Sequence, residues 1–306
     1  MYDHFIKLKN NLELDPTLAE SVSTRHTAIR AYLQNNHPSF KDAKLIGSVA
    51  RKTRIHPGSG KKFDIDILVI VGDNYGWVTS GGITPQSVLD QLHTVVNESA
   101  RYGDMNPYQD APTVTVTYSD EIQAQLVPAL IDKVGKDQWG RDLGAVGRGY
   151  WIVKNGIWQM ADYDFEADYI SKQNELSLGH LIPVIKMLKA LKRTYFPELD
   201  SFPLEILAAN NIPLSVLVKK ANSVAIFYHD LIQEFFIATQ AQLAKPIGVP
   251  GSKSAPSILT SDKIQSLSKI FATMANYIDL INTTQQQGKK VEMWREILPD
   301  HFPATL

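Results

Sequence analysis

The chain of 306 residues contains no cysteine. This absence excludes disulfide bonds, thiolate zinc sites and a cysteine nucleophile. No apolar run approaches the roughly 20 residues that a membrane helix needs. The N-terminal segment MYDHFIKLKNNLELD also lacks the apolar centre of a signal peptide. The sequence therefore predicts a cytoplasmic protein that does not associate with a membrane.

An excess of positive charge is also absent. Lys and Arg total 31 against 32 for Asp and Glu, so the net charge is −1, and the isoelectric point is about 6.7. Proteins that grip long nucleic acids carry a basic stripe and a high isoelectric point. The balance argues against a nucleic-acid template as a partner. It is compatible with small anionic substrates such as nucleoside triphosphates (NTPs), which need only a local basic cluster.

The hydrophobic pattern divides the chain into two halves, and the length allows about two domains. Strands are predicted at about 43–46, 64–71, 114–118 and 122–130. Helices of the second half are predicted at about 177–194, 203–210, 214–243, 262–284 and 290–297. We expect an α+β protein with a sheet lobe over 1–170 and a helical lobe over 171–306. The sheet lobe would include an N-terminal helix, starting at Pro16, that bridges the two lobes.

The segment from Gly47 to Val71, GSVARKTRIHPGSGKKFDIDILVIV, carries the strongest chemical pattern. Side chains alternate in a strand, so Asp64 and Asp66 project from one face, roughly 6–7 Å apart at the backbone. Two adjacent carboxylates favour a cation between them, and Mg²⁺ binds carboxylate and phosphate oxygens. The Gly47-Ser48 turn offers flexible backbone and a hydroxyl for phosphate. Each motif alone is also typical of an ordinary turn or polar strand end, but their order predicts a nucleotide and metal site.

The helix containing VIKMLKALKR adds positive charge. It places Lys186, Lys189 and Arg193 within one broad face. Such a face is often merely solvated. Ser201 follows shortly afterwards, near the start of another helix, where anions bind readily. Transfer of a nucleotide by two metal ions also needs a third carboxylate on a neighbouring strand, and IQAQLVPAL is the strand expected to supply it.

In this order the motifs resemble those of the bacterial cGAS/DncV-like nucleotidyltransferases (CD-NTases, SMODS type), of the polymerase-β-like superfamily. The resemblance runs almost end to end. The matching segments are GSVARKT, FDIDILV, LVPA, GIWQMADYDFEADYISKQN, IKMLKALKR, SFPLE and WREILPDHFP. It implies a nucleotidyltransferase sheet lobe joined to a C-terminal helical lobe, with the active site in the cleft between them. It also implies synthesis of cyclic di- or trinucleotide second messengers from NTPs, as in antiphage signalling, with a regulatory partner or effector protein.

The resemblance also implies roles for individual residues. Asp64 and Asp66 would bind Mg²⁺ in a two-metal site, in which Mn²⁺ can substitute. The residues that would hold the nucleotide are Gly47, Ser48, Lys186, Lys189 and Ser201.

One position departs from the family pattern. The third catalytic acid precedes the Val-Pro-Ala turn by two residues, and here that position is Gln125. A glutamine offers a neutral carbonyl oxygen and no charge. Binding of the metal that activates the attacking hydroxyl should therefore be weakened most. An engineered inactivating change, a naturally weak or noncatalytic member and a shifted alignment all remain open. Two other functions therefore stay open as well: an NTP-binding sensor, and linear transfer of a nucleotide to an acceptor.

Overall fold

In a computed structural model of the chain, residues 1–57, 63–74, 77–133 and 146–305 are described. The helices are α1 (Tyr2–Asn11), α2 (Pro16–Asn36), α3 (Gly47–Ala50), α4 (Trp77–Ser80), α5 (Pro85–Asn97), α6 (Tyr163–Leu176), α7 (Leu181–Tyr195), α8 (Ser201–Ala221), α9 (Tyr228–Thr239), α10 (Ser261–Thr283) and α11 (Gln287–Ile297). The strands are β1 (Asp42–Leu45), β2 (Phe63–Asp73), β3 (Tyr108–Asp110), β4 (Thr113–Thr117), β5 (Ile122–Lys133), β6 (Val146–Lys154) and β7 (Ile157–Ala161). A mixed sheet and a helical lobe confirm the α+β prediction.

The sheet is ordered β1-β2-β5-β4-β3, and β6 joins the far end of β5 and pairs with β7. Only the β2–β5 pair is parallel among the described strand pairs. The alternating VTVT segment forms β4, which pairs with the following strand β5 in an antiparallel hairpin, as the sequence predicts. Ile65, Ile67 and Val69 of β2 are fully buried, which explains why so apolar a strand lies inside the sheet. Its parallel neighbour is β5, in which the Val-Pro-Ala segment is strand paired with Leu68, Val69 and Ile70 and not the turn that the family pattern implies.

The N-terminal helices belong to different lobes. Asp15 caps α2 by accepting a hydrogen bond from the Thr17 backbone N–H at 2.8 Å, and the start of the helix at Pro16 follows the sequence prediction. The apolar face of α2 packs within the sheet-lobe core. Helix α1 packs in the helical-lobe core, where the Phe5 and Trp294 ring centroids lie 4.9 Å apart. The segment that joins α1 to α2 therefore passes from the helical lobe to the sheet lobe.

The expected boundary at residue 170 falls inside α6. Tyr163, at the start of α6, packs against a small apolar cluster on the sheet, whereas Ile170 is buried in the helical-lobe core. Helix α6 therefore contacts the cores of both lobes. The sequence pattern did not predict this helix because its segment, YDFEADYISKQNEL, is largely polar.

Helix α8 differs from expectation in two ways. It continues through Pro213, where a break was predicted, and ends instead at Ala221. By length and composition it is also a candidate membrane span, contrary to the sequence expectation, and it is the one such helix found in the described ranges. About half of its most apolar window, 56%, is buried inside the protein. A core helix passes the same test, so the observation is weak evidence for a membrane span.

Candidate active site

Strands β2 and β5 bring the acidic motif and its expected partner together. In the parallel ladder Asp64 pairs with Gln123 and Asp66 pairs with Gln125. Directly paired residues of adjacent strands project from the same face. Gln125 therefore lies beside Asp66 at the place where a third carboxylate would complete a metal site. Gln123, the other glutamine of this face, is buried and donates a hydrogen bond to Thr117 Oγ1 at 3.0 Å.

The Gly47-Ser48 turn lies against the same carboxylate. The Ile46 backbone N–H donates to the Asp66 carbonyl at 3.0 Å, which fixes the turn on the first part of β2. Gly47 has φ +65°, and a Cβ at this position would collide with Asp66 Oδ2. Only glycine accepts both the left-handed backbone and this close approach. The turn therefore presents backbone directly beside the acidic face.

A cavity of about 390 Å³ opens between the two lobes at this point, and we call it the cleft cavity. Its lining consists of Gly47, Ser48, Arg51, Arg54, Ile55, Pro57, Asp66, Lys189, Lys192, Arg193, Ser201 and Glu205. Five of the sequence-predicted site residues are thus brought together. These are Gly47, Ser48, Asp66, Lys189 and Ser201. The lining joins phosphate-binding and metal-binding groups from opposite lobes in one space.

Three predicted residues lie outside that lining. Asp64 and Gln125 share the face of Asp66 in the sheet but do not border the cleft cavity. Lys186 is buried and pairs with Glu13 Oε2 at 2.5 Å. The ammonium of Lys186 is therefore engaged by the segment between α1 and α2.

A buried ionic cluster joins the lobes beneath the cleft cavity. Glu205 of α8 has no exposed surface and accepts from Arg51 Nε and Lys189 Nζ, each at 2.6 Å. Complete burial opposes the charge of Glu205, but the neighbouring Lys189 and Arg51 hold its pKa below the usual value. Lys189 also donates to the Thr53 carbonyl at 3.0 Å. The cluster fixes the segment after the Gly-Ser turn against α7 and α8.

Sequence analysis missed four side chains of this cavity: Arg51, Arg54, Lys192 and Glu205. Their signal was present, since Arg51 and Arg54 lie in GSVARKTR and Glu205 ends SFPLE. The basic glycine-rich loop over 58–62, part of the predicted motif, lies outside the described residues.

The acidic face has the electrostatics of a cation site. Burial raises the pKa of Asp66, the adjacent Asp64 raises it further, and Arg54 opposes the shift. A divalent cation would offset the cost of keeping this carboxylate charged. Within the described ranges, however, no group of three or more His, Cys, Asp or Glu side chains is placed to hold a metal ion. The oxygen donors thus suit Mg²⁺ at Asp64 and Asp66, but among the described residues no third carboxylate joins them.

Comparison with known proteins identifies a domain and a fold. Residues 1–140 match the family model of the Second Messenger Oligonucleotide or Dinucleotide Synthetase (SMODS) domain. No curated protein sequence matches the chain.

Solved structures match over almost the whole chain. In the complex of E. coli MS115-1 CdnC with HORMA-deltaN, the match has a TM-score of 0.73 and 15% identity over 99% of this chain and 98% of that one. Bradyrhizobium diazoefficiens CdnG in complex with GTP matches with a TM-score of 0.68 and 13% identity, and the match covers 98% of this chain and 95% of that one. Rhodothermus marinus CdnE c-UMP-AMP synthase with Apcpp and Upnpp matches with a TM-score of 0.63 and 16% identity, and the match covers 94% of this chain and 98% of that one. The resemblance is thereby confirmed at the level of the fold: residues 1–140 match the SMODS domain model, and the whole chain is similar in fold to the solved bacterial CD-NTase structures.

Proposed function

We propose that the chain is a template-independent nucleotidyltransferase that joins NTPs into cyclic di- or trinucleotide second messengers. The observation that carries the proposal is the cleft cavity, in which the Gly47-Ser48 turn and Asp66 face basic side chains of α7. A triphosphate needs this combination of backbone donors, a hydroxyl and local positive charge. The SMODS match over residues 1–140 supports the same class of reaction.

Asp64 and Asp66 would hold Mg²⁺, with Mn²⁺ as a substitute. Their shared strand face and the raised pKa of Asp66, caused first by burial, fit a bound cation. When bound, the ion would neutralise phosphate charge and polarise the α-phosphate. Gly47 and Ser48 would orient the phosphates, and Ser201 would close on them from the helical lobe. The neutral Gln125 leaves a second metal with fewer charged ligands.

A second candidate is a catalytically weak or inactive NTP-binding sensor. Gln125 favours it, because it lies beside Asp66 where the family pattern has an acid. Such a protein would keep Mg²⁺-dependent nucleotide binding and release little or no pyrophosphate.

We further propose a cytoplasmic role in antiphage signalling with a protein partner. CdnC of E. coli MS115-1 is seen in complex with HORMA-deltaN, and we expect this chain to bind a regulatory protein as well. Copurification of this chain with proteins encoded beside it in its source genome would test the expectation. Finding no stable partner in such a purification would contradict it.

The decisive experiment incubates the protein with all four labelled NTPs and Mg²⁺ or Mn²⁺, then identifies products by mass. Phosphatase-resistant cyclic products are expected, since a closed ring has no terminal phosphate. The double variant Asp64→Asn, Asp66→Asn should abolish them, while the exposed control Asp262→Asn on α10 should not. Binding without pyrophosphate release would favour the sensor, and phosphatase-sensitive products would favour linear transfer. Unchanged NTP consumption in the double variant would refute the proposal.

A further inference from the structure

The cleft cavity contains more basic side chains than its carboxylates can neutralise. The basic residues of its lining are Arg51, Arg54, Lys189, Lys192 and Arg193. The two carboxylates of the lining are those of Asp66 and Glu205. A phosphate tail gains most from cations whose hydrogen-bond donors are still available. The internal partners of each cation therefore indicate which of them can bind phosphate.

Lys189 has no donor left for a phosphate. An ammonium group has three N–H donors, and Lys189 Nζ contacts three acceptors: Glu205 Oε1 at 2.6 Å, the Thr53 carbonyl at 3.0 Å and Thr53 Oγ1 at 3.2 Å. Its side chain is 7% exposed. Lys189 is thus a buried counter-ion that ties the two lobes together.

Arg51 is committed to the same carboxylate. Its Nε and Nη2 donate to the two oxygens of Glu205 at 2.6 and 3.3 Å, so the guanidinium is held in a two-point contact. The charge of Glu205 raises the pKa of Arg51 even though burial opposes this. Arg51 and Lys189 therefore shape the wall of the cavity, and their hydrogen-bond donors are taken up by Glu205 and Thr53, although the two cations share the one negative charge of Glu205.

The other three cations have much weaker partners. Within the described ranges Arg193 makes no hydrogen bond or ion pair, and the charge of Asp300 acts on it only at longer range. Lys192 reaches only the Pro197 carbonyl, at 3.4 Å. The Arg54 guanidinium lies 4.2 Å from the centre of the Phe63 ring. Burial lowers the pKa of Arg193, and the neighbouring charge of Arg54 adds to the effect. Asp64 and Asp66 likewise attract Arg54 only at longer range. None of the three cations forms an ion pair within the described ranges.

Their placement fits one extended anion. Lys192 and Arg193 lie one turn beyond Lys189 on the same side of α7, and Arg54 faces them from the sheet lobe. We propose that Arg54, Lys192 and Arg193 bind the phosphate tail, and that Lys189 serves as the internal counter-ion of Glu205. The assignment rests on the nucleotide-binding function proposed above. It adds that the tail bridges the lobes, because its ligands come from both.

The test measures binding of inorganic tripolyphosphate and of an α,β-methylene NTP analogue by calorimetry. Each of Arg54→Gln, Lys192→Gln and Arg193→Gln should weaken tripolyphosphate binding about tenfold, the usual effect of losing a charge-assisted hydrogen bond. Lys192→Arg should retain binding. Arg295→Gln is the matched control, since it removes one positive charge from the exposed surface of α11. Thermal unfolding of every variant checks that each has folded.

The outcomes separate this inference from the function on which it rests. If the unaltered protein binds both ligands and the three glutamine variants bind as tightly as Arg295→Gln, the assignment of phosphate ligands is overturned and nucleotide binding stands. If the unaltered protein binds neither ligand, with or without Mg²⁺, the proposed function itself fails. A tenfold loss confined to the three variants, with Lys192→Arg retaining affinity, supports the assignment.

Discussion

Replacement of Gln125 by aspartate is expected to raise nucleotide incorporation strongly. Gln125 pairs with Asp66 across the parallel ladder, and adjacent strands lie about 4.8 Å apart. At about 5 Å and an effective dielectric constant near 20, the new carboxylate and one unit of positive charge on a cation held by Asp66 would attract each other by about 3 kcal/mol. If the transition state gains all of that energy, the rate rises about a hundredfold. We expect a gain between about tenfold and about a hundredfold, because part of the energy also stabilises the bound ground state.

The assay follows incorporation of labelled NTPs at saturating Mg²⁺, with products identified by mass. Gln125→Asn is the matched control, because asparagine has the shape of aspartate without its charge. The same substitution has a second consequence for stability. Without divalent cations a new carboxylate beside Asp66, whose pKa burial already raises, should lower the melting temperature. Added Mg²⁺ should restore it, and the asparagine variant should show neither effect.

The reasoning is refuted if Gln125→Asp incorporates nucleotide no faster than Gln125→Asn and the unaltered protein. A gain of equal size in both variants would also refute it, since side-chain length rather than charge would then be responsible. Faster incorporation in the aspartate variant alone would identify Gln125 as the cause of weak turnover.

Three further substitutions have consequences that follow from the packing. Gly47→Ala should destabilise the protein by about 1–2 kcal/mol and abolish Mg²⁺-dependent NTP binding, because its Cβ displaces the Asp66 carboxylate; calorimetry and urea unfolding measure the two effects. Glu205→Gln should lower the free energy of unfolding by about 3–5 kcal/mol, since Arg51 keeps a buried charge without its partner. Phe5→Ala should cost about 3–5 kcal/mol in urea unfolding, because a fully buried ring is lost from the helical-lobe core.

Each of these substitutions has a matched control in the chain. Gly81 has φ +72°, and a Cβ added there would have no atom within 4 Å, so Gly81→Ala isolates backbone strain from the collision. Glu175→Gln removes an exposed carboxylate, and Tyr2→Ala removes an exposed ring from the same helix as Phe5. A variant that behaves like its control would contradict the corresponding explanation.

Local sequence patterns were enough to predict the acidic face and its surroundings. The two-residue period places Asp64 and Asp66 on one side of β2, and the same period identifies β4 and β5. Helical spacing locates α7, and the Asp15-Pro16 pair locates the start of α2. These features depend on side chains only a few residues apart, so they can be read directly from the order of amino acids.

Long-range pairing decided the rest. Arg51 and Glu205 are 154 residues apart in the chain, and no local pattern indicates that they meet. Lys189 meets the same carboxylate, whereas Arg193 forms no ion pair in the described part of the chain and is attracted by Asp300 only at longer range. The amino-acid sequence by itself therefore determined the chemistry of the site, namely two carboxylates, a Gly-Ser turn and a glutamine where an acid is expected. Only the tertiary structure decided which cations remain available to a ligand. Folding determines which opposite charge lies close enough to pair with each buried charge.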